Sequence, residues 1–466
     1  MMNWDTLLNA ERPRPSTSTG DHREQFERDY DRAVFSSPVK RLQDKAQVFP
    51  LEPHDSVRTR LTHSLEVSSV ARGLVQKVCK EFLLPANLIK DGQDRQIEAI
   101  AATCGLIHDL GNPPFGHSGE DAIQEWFRKN ITEAELRKLL DNRDELVNDF
   151  LLFEGNAQTL RIVAKLQVLA DFQGLNLTFG TLSALCKCTA SSVEAGKGDN
   201  HAKSKTGYFT SENDRVQKIR EKTGTGDARN PITFLVEAAD DIVYSVADIE
   251  DGVKKRILSW SQLNHLLHNA PEASAAAKAV EAVLAFKKII LAPNPNPDDL
   301  PDDVHCAAFR TAAIGFGVKA AGEVFQQNYD AIMAGKFASK GIGELVGMGP
   351  AAPFIELLKG IGRTKIYCTP SNLKLELLGR TVIKELLTLF WEGASVLEPD
   401  RPIKPKKFTG KLQALLSDSY LKVFTHFVKE RGDLPIGYHR LQLVTDYVCG
   451  MTDSFAKHLH SELTNG

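Results

Sequence analysis

The chain lacks a long apolar run, and no stretch approaches the roughly 18 uninterrupted apolar residues that a transmembrane helix needs. Its first residues also lack the cationic segment followed by an apolar run that is typical of a secretory signal. It has no basic excess either, because the formal net charge of its 466 residues is −3. We therefore expect a cytoplasmic protein that has no membrane partner and no overall charge bias toward nucleic acid.

Cysteine is sparse, and the seven cysteines are odd in number, scattered and without a repeated Cys-x-x-Cys spacing. This pattern argues against both a disulfide framework and a structural zinc site. No internal repeat with a period of about 20–50 residues is visible, which argues against a solenoid or propeller. Alternating β-branched runs are few and short, so we predict a mostly α-helical, all-α fold.

Apolar residues at spacings of three and four predict a series of amphipathic helices. The predicted helices cover residues 61–84, 95–108, 118–129, 156–170, 231–250, 307–334, 373–393, 411–430 and 439–458.

The pattern of breaks suggests a domain organisation. Residues 1–25 are polar and proline-punctuated, which predicts an N-terminal arm, and residues 26–290 form the predicted catalytic core. Within the core, the Gly-, Ser- and Lys-rich stretch 189–230 is interpreted as a mobile insertion or lid. Alternating prolines prevent helix formation in the Pro/Asp-rich connection 291–306, and 307–466 is the predicted C-terminal helical region.

The densest chemistry lies between residues 106 and 120, where His108, Asp109, His117 and Glu120 follow an apolar run. Adjacent helical positions place the imidazole of His108 and the carboxylate of Asp109 close enough to bind one cation. His63 and Asp240 are the candidate partners. Two imidazoles and two carboxylates suit Mn, Fe, Co, Ni or Zn better than Ca, and leave coordination positions for water and a phosphate oxygen.

These four residues resemble the H…HD…D signature of the HD-domain superfamily of metal-dependent phosphohydrolases. Further segments resemble bacterial deoxyguanosine triphosphate triphosphohydrolases, and they span almost the whole chain. They are residues 41–50, 112–117, 153–158, 237–242 and 450–453. The vertebrate SAM-and-HD-domain dNTPases are more distantly similar.

The resemblance implies an HD-domain helical core and a divalent metal cofactor, with Mn, Mg, Fe, Co and Ni all open. It also implies hydrolysis of dGTP, or of several dNTPs, to the deoxynucleoside and inorganic triphosphate, which would control dNTP pools. By similarity, His117 is the catalytic acid or nucleophile and Glu120 is its partner. Arg60, one helical turn before the first metal ligand, would clamp a phosphate oxygen, and Lys205 and Tyr208 would close on the outer phosphates, together with Lys203.

Sugar recognition follows from helical spacing. Asp240, Tyr244 and Asp248 fall at i, i+4 and i+8 on one predicted helix face. Asp248 can accept a hydrogen bond from a 3′-OH, while the Tyr244 ring crowds the 2′ carbon.

Base recognition is inferred from the resemblance alone. It assigns the base and sugar contacts to Gln43, Asn176 and Glu376, and a carboxylate at Glu376 suits the two adjacent N–H donors of guanine.

Several alternatives stay open from the sequence. They are a broad-specificity dNTP triphosphohydrolase, an HD-type nucleotidase or phosphodiesterase, and a non-catalytic nucleotide-sensing protein. The family resemblance further implies a homohexamer. It leaves open an effector role for a dNTP or for single-stranded DNA.

Overall fold

The structure is a computed structural model that describes residues 1–15, 22–167, 171–270, 274–339 and 341–464. Residues 16–21 of the predicted arm and residues 168–170 at the end of a predicted helix lie outside this described part. Helices dominate the described residues, so the all-α fold class is confirmed.

The first eleven helices are α1 (Trp4–Leu7), α2 (Gln25–Val34), α3 (Ser37–Arg41), α4 (Arg60–Val78), α5 (Gln93–Ile107), α6 (Gly116–Lys129), α7 (Glu133–Leu139), α8 (Asp144–Leu151), α9 (Gly155–Arg161), α10 (Phe179–Leu185) and α11 (Asn213–Thr223). The next eleven are α12 (Pro231–Lys254), α13 (Trp260–His268), α14 (Ala275–Leu291), α15 (Asp302–Gln327), α16 (Tyr329–Met333), α17 (Ala352–Ile361), α18 (Pro370–Ala394), α19 (Phe408–Leu415), α20 (Asp418–Glu430), α21 (Ile436–Cys449) and α22 (Asp453–Thr464).

Shorter elements complete the described chain. Three π-helical turns, Cys79–Leu83, Ile162–Leu166 and Gly362–Tyr367, extend α4, α9 and α17. Five 3₁₀ turns lie at Leu42–Asp44, His201–Lys203, Thr210–Glu212, Pro297–Asp299 and Phe337–Ser339. Two short strands, β1 (Ala190–Ser191) and β2 (Thr206–Tyr208), pair in parallel.

The predicted helix 307–334 becomes α15 and α16 on either side of Asn328, and two further predicted helices are each divided in the structure. The prediction at 411–430 becomes α19 and α20, because Ser417 takes an extended conformation before α20. The prediction at 439–458 becomes α21 and α22, with Gly450 capping the end of α21. Apolar spacing continues across both breaks, so the periodicity alone could not separate the two helices of either pair.

Helix α12 is the centre of the largest core, and α4, α5 and α15 pack against it. Most of its residues are buried on all sides, which agrees with a helix that is surrounded by other helices. A second core joins α6 and α8 to α18 and α21 around Trp126, Phe150, Phe390 and Tyr438. The residues on either side of the Pro/Asp-rich connection share one core, since Val283 and Phe309 belong to the same cluster. The proposed domain division stays a prediction.

The N-terminal residues 1–15 pack on the helical body. Trp4 is buried and its indole N–H donates to the hydroxyl of Tyr329 at 2.9 Å. Arg12 forms a buried ion pair with Asp29 at 2.5 Å.

The 189–230 segment holds β1, β2 and α11, with β2 packed on α9 and α11 packed on α10. None of the described helices combines the length and the apolar character that a bilayer crossing requires. All seven cysteines are unpaired thiols.

Candidate active site

Three helices bring the four predicted metal ligands together. His63 lies in the first turn of α4, Asp240 lies in the middle of α12, and His108 and Asp109 directly follow α5. The Oδ1 atom of Asp240 lies 3.0 Å from Nε2 of His63 and 3.4 Å from Nε2 of His108. Nε2 of His108 is also 3.5 Å from Oδ1 of Asp109. The folded chain therefore brings the four residues of the motif close together.

Local sequence makes this approach possible. Thr59 caps α4 and forms a reciprocal capping box with Thr62, which begins the helix next to His63. Helices α4 and α5 approach closely at Gly105, where an added Cβ would lie only 2.7 Å from Cα of Ser68. A side chain at this position would push α4, which carries His63, away from α5, which leads directly into His108.

The donor set fits a divalent cation. Nδ1 of His108 donates to the carbonyl of Gly105 at 2.8 Å, which directs Nε2 toward the carboxylates. This Nε2 atom is buried and accepts no hydrogen bond from the described residues. Burial lowers the pKa of His108, but Asp109 and Asp240 outweigh it and raise the value to about 9. A positive charge is favoured at this point, and a cation bound by the four residues would supply it.

Arg60 lies beside this cluster. Its guanidinium forms an ion pair with Oδ2 of Asp109, and its Nε donates to the carbonyl of Ala46 at 3.1 Å. Asn112 donates to Oδ1 of Asp109 at 2.7 Å. The predicted phosphate clamp is therefore held next to a predicted metal ligand.

The cluster opens into a cavity of about 310 Å³. This is at the small end of the range for nucleotide-sized ligands. The predicted site residues that line it are Arg60, His108, Asp109, His117, Glu120, Lys205, Asp240 and Tyr244.

His117 and Glu120 lie in the first turns of α6. Burial, followed by Arg60, lowers the pKa of His117. Burial and the neighbouring Glu154 raise the pKa of Glu120 to about 8. Glu120 accepts a hydrogen bond from the backbone N–H of Gly155 at 3.3 Å. Within the described residues, the side chain of His117 forms no hydrogen bond with Glu120.

Lys205 reaches the cavity from the 189–230 segment and forms an ion pair with Glu154 at 3.2 Å. Lys187, at the start of the loop after α10, also lines the cavity, and the sequence argument had not selected it. Lys203 instead pairs with Asp227 at 3.1 Å. Tyr208 is buried beneath the guanidinium of Arg220 and does not line the cavity.

The predicted sugar residues lie on α12 as expected from their spacing. Tyr244 lines the cavity and Asp248 is buried. Burial raises the pKa of Asp248 to about 8, and its Oδ2 accepts a hydrogen bond from the hydroxyl of Tyr367 at 2.5 Å. Tyr367 comes from the π-helical turn after α17. No sequence signal linked it to Asp248, because the two residues are 119 positions apart.

The three predicted base contacts are placed differently from one another. Gln43 lines a separate groove of about 750 Å³. Gln47, four residues later, lines the cavity instead, and its buried Oε1 atom accepts no hydrogen bond from any described residue. Asn176 is buried in a turn, where its side chain bonds to the backbone N–H and carbonyl of Arg14. The structure therefore brings neither Gln43 nor Asn176 to this cavity.

Glu376 lies on α18 near the first turn of α6. Its carbonyl accepts from Ser118, the neighbour of His117, at 2.9 Å, and its carboxylate accepts from Asn372 at 3.0 Å. Asn372 also donates to the carbonyl of Tyr367 at 3.1 Å. A chain of hydrogen bonds thus connects Glu376 to the sugar-side residues, although Glu376 itself is not part of the cavity wall.

Comparison with known proteins agrees with this geometry. The model of the HD domain family matches residues 60–166, which include three of the four clustered ligands. A deoxyguanosinetriphosphate triphosphohydrolase-like protein of Listeria innocua is 39% identical, over 99% of this chain and 99% of its own. A protein of the same description from Pseudomonas aeruginosa is 31% identical, over 99% of each chain. A deoxyguanosinetriphosphate triphosphohydrolase of Salmonella arizonae is 32% identical, over 92% of each chain. The chain belongs to the deoxyguanosinetriphosphate triphosphohydrolase family of HD-domain hydrolases.

Proposed function

We propose that this enzyme hydrolyses dGTP to deoxyguanosine and inorganic triphosphate in a reaction that depends on a divalent metal ion. One observation carries the proposal. The convergent His63, His108, Asp109 and Asp240 cluster opens into a cavity that also holds a histidine–carboxylate pair, three cationic side chains and a tyrosine. Family membership supports the dNTP triphosphohydrolase class, and the relatives named for dGTP support the guanine preference.

The metal ion, held by those four residues, would act as a Lewis acid on a phosphate oxygen. Arg60, Lys187 and Lys205 offer three positive charges to the triphosphate. Tyr244 would stack against the deoxyribose, and Asp248 with Tyr367 would bind its 3′-OH. Gln47 is an additional candidate for the sugar or base, because its buried carbonyl oxygen lacks a partner among the described residues.

Hydrolysis adds water across the bond between the 5′ oxygen and the α-phosphorus, so the leaving 5′ oxygen must receive a proton. The lowered pKa of His117 keeps its imidazole neutral at pH 7, while the raised pKa of Glu120 keeps that carboxyl protonated. We propose that the proton of Glu120 reaches the leaving oxygen through His117. We propose that substrate binding brings the two side chains into hydrogen-bond contact.

Product analysis tests the reaction. We expect ³¹P NMR to show inorganic triphosphate from dGTP in the presence of Mn²⁺. His117→Ala should lose turnover while keeping its metal, whereas Asp240→Ala should lose the metal from this cluster. Pyrophosphate with a deoxynucleoside monophosphate as the products would refute the reaction assignment. Equal use of all four dNTPs would favour a broad dNTP triphosphohydrolase.

We also propose a cytoplasmic homohexamer that controls dNTP pools. Exposed apolar side chains on α18, Leu373 and Leu377, and Phe408 at the start of α19 support subunit contacts. Multi-angle light scattering should report six chains, and a stable monomer would contradict the assembly. Activation by a dNTP or by single-stranded DNA stays a prediction, which the rate with and without each added effector tests.

A further inference from the structure

We call the cluster of His63, His108, Asp109 and Asp240 the HD cluster. A second cluster of metal-type side chains lies one helical turn along α12 from it. It contains His201 from the 3₁₀ turn in the 189–230 segment, Glu237 from α12, and Glu344 from the segment before α17. Their ligand atoms all lie within 4.8 Å of one another. Nε2 of His201 is 2.9 Å from Oε1 of Glu344 and 3.9 Å from Oε1 of Glu237.

Glu237 has an unused oxygen that faces this cluster. Its side chain is only 3% exposed, and its Oε2 accepts a hydrogen bond from Arg229 at 2.7 Å. Its Oε1 is also buried but accepts no hydrogen bond from any residue in the described part of the chain. An unbonded carboxylate oxygen in the interior is costly, and a ligand between the three side chains would satisfy it.

We propose that His201, Glu237 and Glu344 form a second divalent-cation site, separate from the HD cluster. One imidazole nitrogen and two carboxylate oxygens suit Mn²⁺, Fe²⁺, Co²⁺ or Zn²⁺. Metal–ligand bonds of about 2.0–2.2 Å allow one ion to bridge Nε2 of His201 and the carboxylate oxygens that lie 2.9 and 3.9 Å from it. The ion would lie between Nε2 of His201 and Oε1 of Glu344, which are 2.9 Å apart. His201 and Glu344 are part-exposed, so water can complete the coordination.

Two of the three neighbouring positive charges are bound to other oxygens, and the third, Lys187, forms an ion pair with Glu237. Arg229 is bound to the opposite oxygen of Glu237, and Lys359 pairs with Asp241 at 3.2 Å. Lys187 is the competitor, because its Nζ lies 3.6 Å from Oε1 of Glu237. Lys187 also lines the catalytic cavity and can turn its ammonium group toward that cavity when a cation binds to Glu237.

This arrangement gives the site a structural consequence. The three ligands come from the insertion, the central helix and the C-terminal part of the chain, so one ion would hold these segments together. Binding of an ion to the folded state alone stabilises that state by mass action. Mn²⁺ should therefore raise the melting temperature through this site even when the HD cluster is disabled.

The test is Mn²⁺ stoichiometry on the full chain, measured by equilibrium dialysis with elemental analysis and by titration of free Mn²⁺ with electron paramagnetic resonance. Wild type should bind two ions, and Asp240→Ala, His201→Ala and Glu344→Gln should each bind one. Glu356→Gln is the matched control, because this exposed glutamate pairs only loosely with Arg363 at 3.5 Å, and it should retain two.

Two further variants separate loss of the site from loss of the fold. Lys187→Met removes the competing charge and should tighten the second site about tenfold or more. In the Asp240→Ala background, Mn²⁺ should still raise the melting temperature, and adding His201→Ala should abolish that rise. A single ion in wild type, together with no effect of His201→Ala on Mn²⁺ binding, would overturn the proposal. That result would leave the HD cluster and its reaction untouched, because Asp240→Ala and product analysis report on them separately.

Discussion

Gly111 provides a test of the site's architecture, because it lies two residues after the predicted metal ligand Asp109, where this turn packs against α9. An added Cβ would lie 2.0 Å from the carbonyl oxygen of Gly155 and 2.3 Å from the backbone nitrogen of Thr159. An ordinary carbon contact needs about 3.5 Å. Both obstacles are backbone atoms, so no side-chain rotation can relieve the overlap in Gly111→Ala.

The turn and the start of α9 would have to separate by more than about 1 Å, and overpacking of this kind costs about 3 kcal/mol. An unfolding entropy of about 2.1 cal/mol/K per residue gives about 1 kcal/mol/K for a chain of this length, if it unfolds as one unit. The melting temperature should therefore fall by about 3 °C. Asp109 moves with the turn, so Mn²⁺ affinity at the HD cluster should fall as well.

Gly73→Ala is the matched control. Gly73 is exposed on α4, the helix that carries His63, and an added Cβ there meets no atom within 4 Å. Alanine should stabilise this helix by about 0.5–1 kcal/mol. Differential scanning calorimetry at one scan rate, with Mn²⁺ titration, measures both variants. A Gly111→Ala protein with unchanged melting temperature and unchanged Mn²⁺ affinity would refute the close approach.

Three further predictions follow from other parts of the molecule. Burial and the nearby charge of Arg161 lower the pKa of His439 to about 4. Below about pH 6.5, His439 is therefore protonated in the unfolded chain but stays neutral in the folded chain. The free energy of unfolding should fall from pH 6.5 toward pH 4, and His439→Gln should remove about 2 kcal/mol of this loss at pH 5. A variant whose melting temperature has the same pH profile as the wild type would contradict this. Arg161→Met leaves the buried carboxylate of Asp446 unpaired and should cost about 3–5 kcal/mol, with partial recovery in Arg161→Met/Asp446→Leu. Calorimetry measures both variants. A double variant less stable than Arg161→Met would contradict the ion pair between Arg161 and Asp446. Tyr244→Ala should allow hydrolysis of GTP without changing the base preference. We expect the wild type to prefer dGTP over dATP about ten- to two-hundredfold, and Glu376→Ala should reduce this preference without allowing hydrolysis of GTP. Values of kcat/KM for dGTP, dATP and GTP test this. If both variants changed the base preference and the sugar preference equally, Tyr244 and Glu376 would not have separate roles.

The fold class and family could be predicted from the sequence because both depend on local patterns. Apolar spacing along single segments predicts helices without knowledge of their partners, and the all-α prediction is confirmed. The H…HD…D residues come with short flanking motifs, and the family assignment is likewise confirmed. The alignment of Tyr244 and Asp248 on one face also needed only the period of a helix. The catalytic roles of these residues stay predictions.

Helix ends and the distant site residues could not be predicted in the same way. Gln43 and Gln47 are only four residues apart, yet they line different cavities, because the chain between them leaves a 3₁₀ turn for an irregular segment. Asn176 takes a left-handed conformation with φ of 51° and is held by Arg14, so its amide is already used. Neither outcome has a local signature, since each depends on what packs against the segment.

The sequence by itself determined which chemical groups are available: two imidazoles and two carboxylates for a cation, a histidine and a carboxylate for proton transfer, and a tyrosine with an aspartate on one helix. Only the tertiary structure decided which other groups join them. Tyr367 reaches Asp248 from 119 positions away, and Glu344 approaches Glu237 from the C-terminal part of the chain. Lys187 enters the cavity from the loop after α10. Such contacts depend on the packing of whole helices against one another, and the spacing of residues along the chain does not encode them.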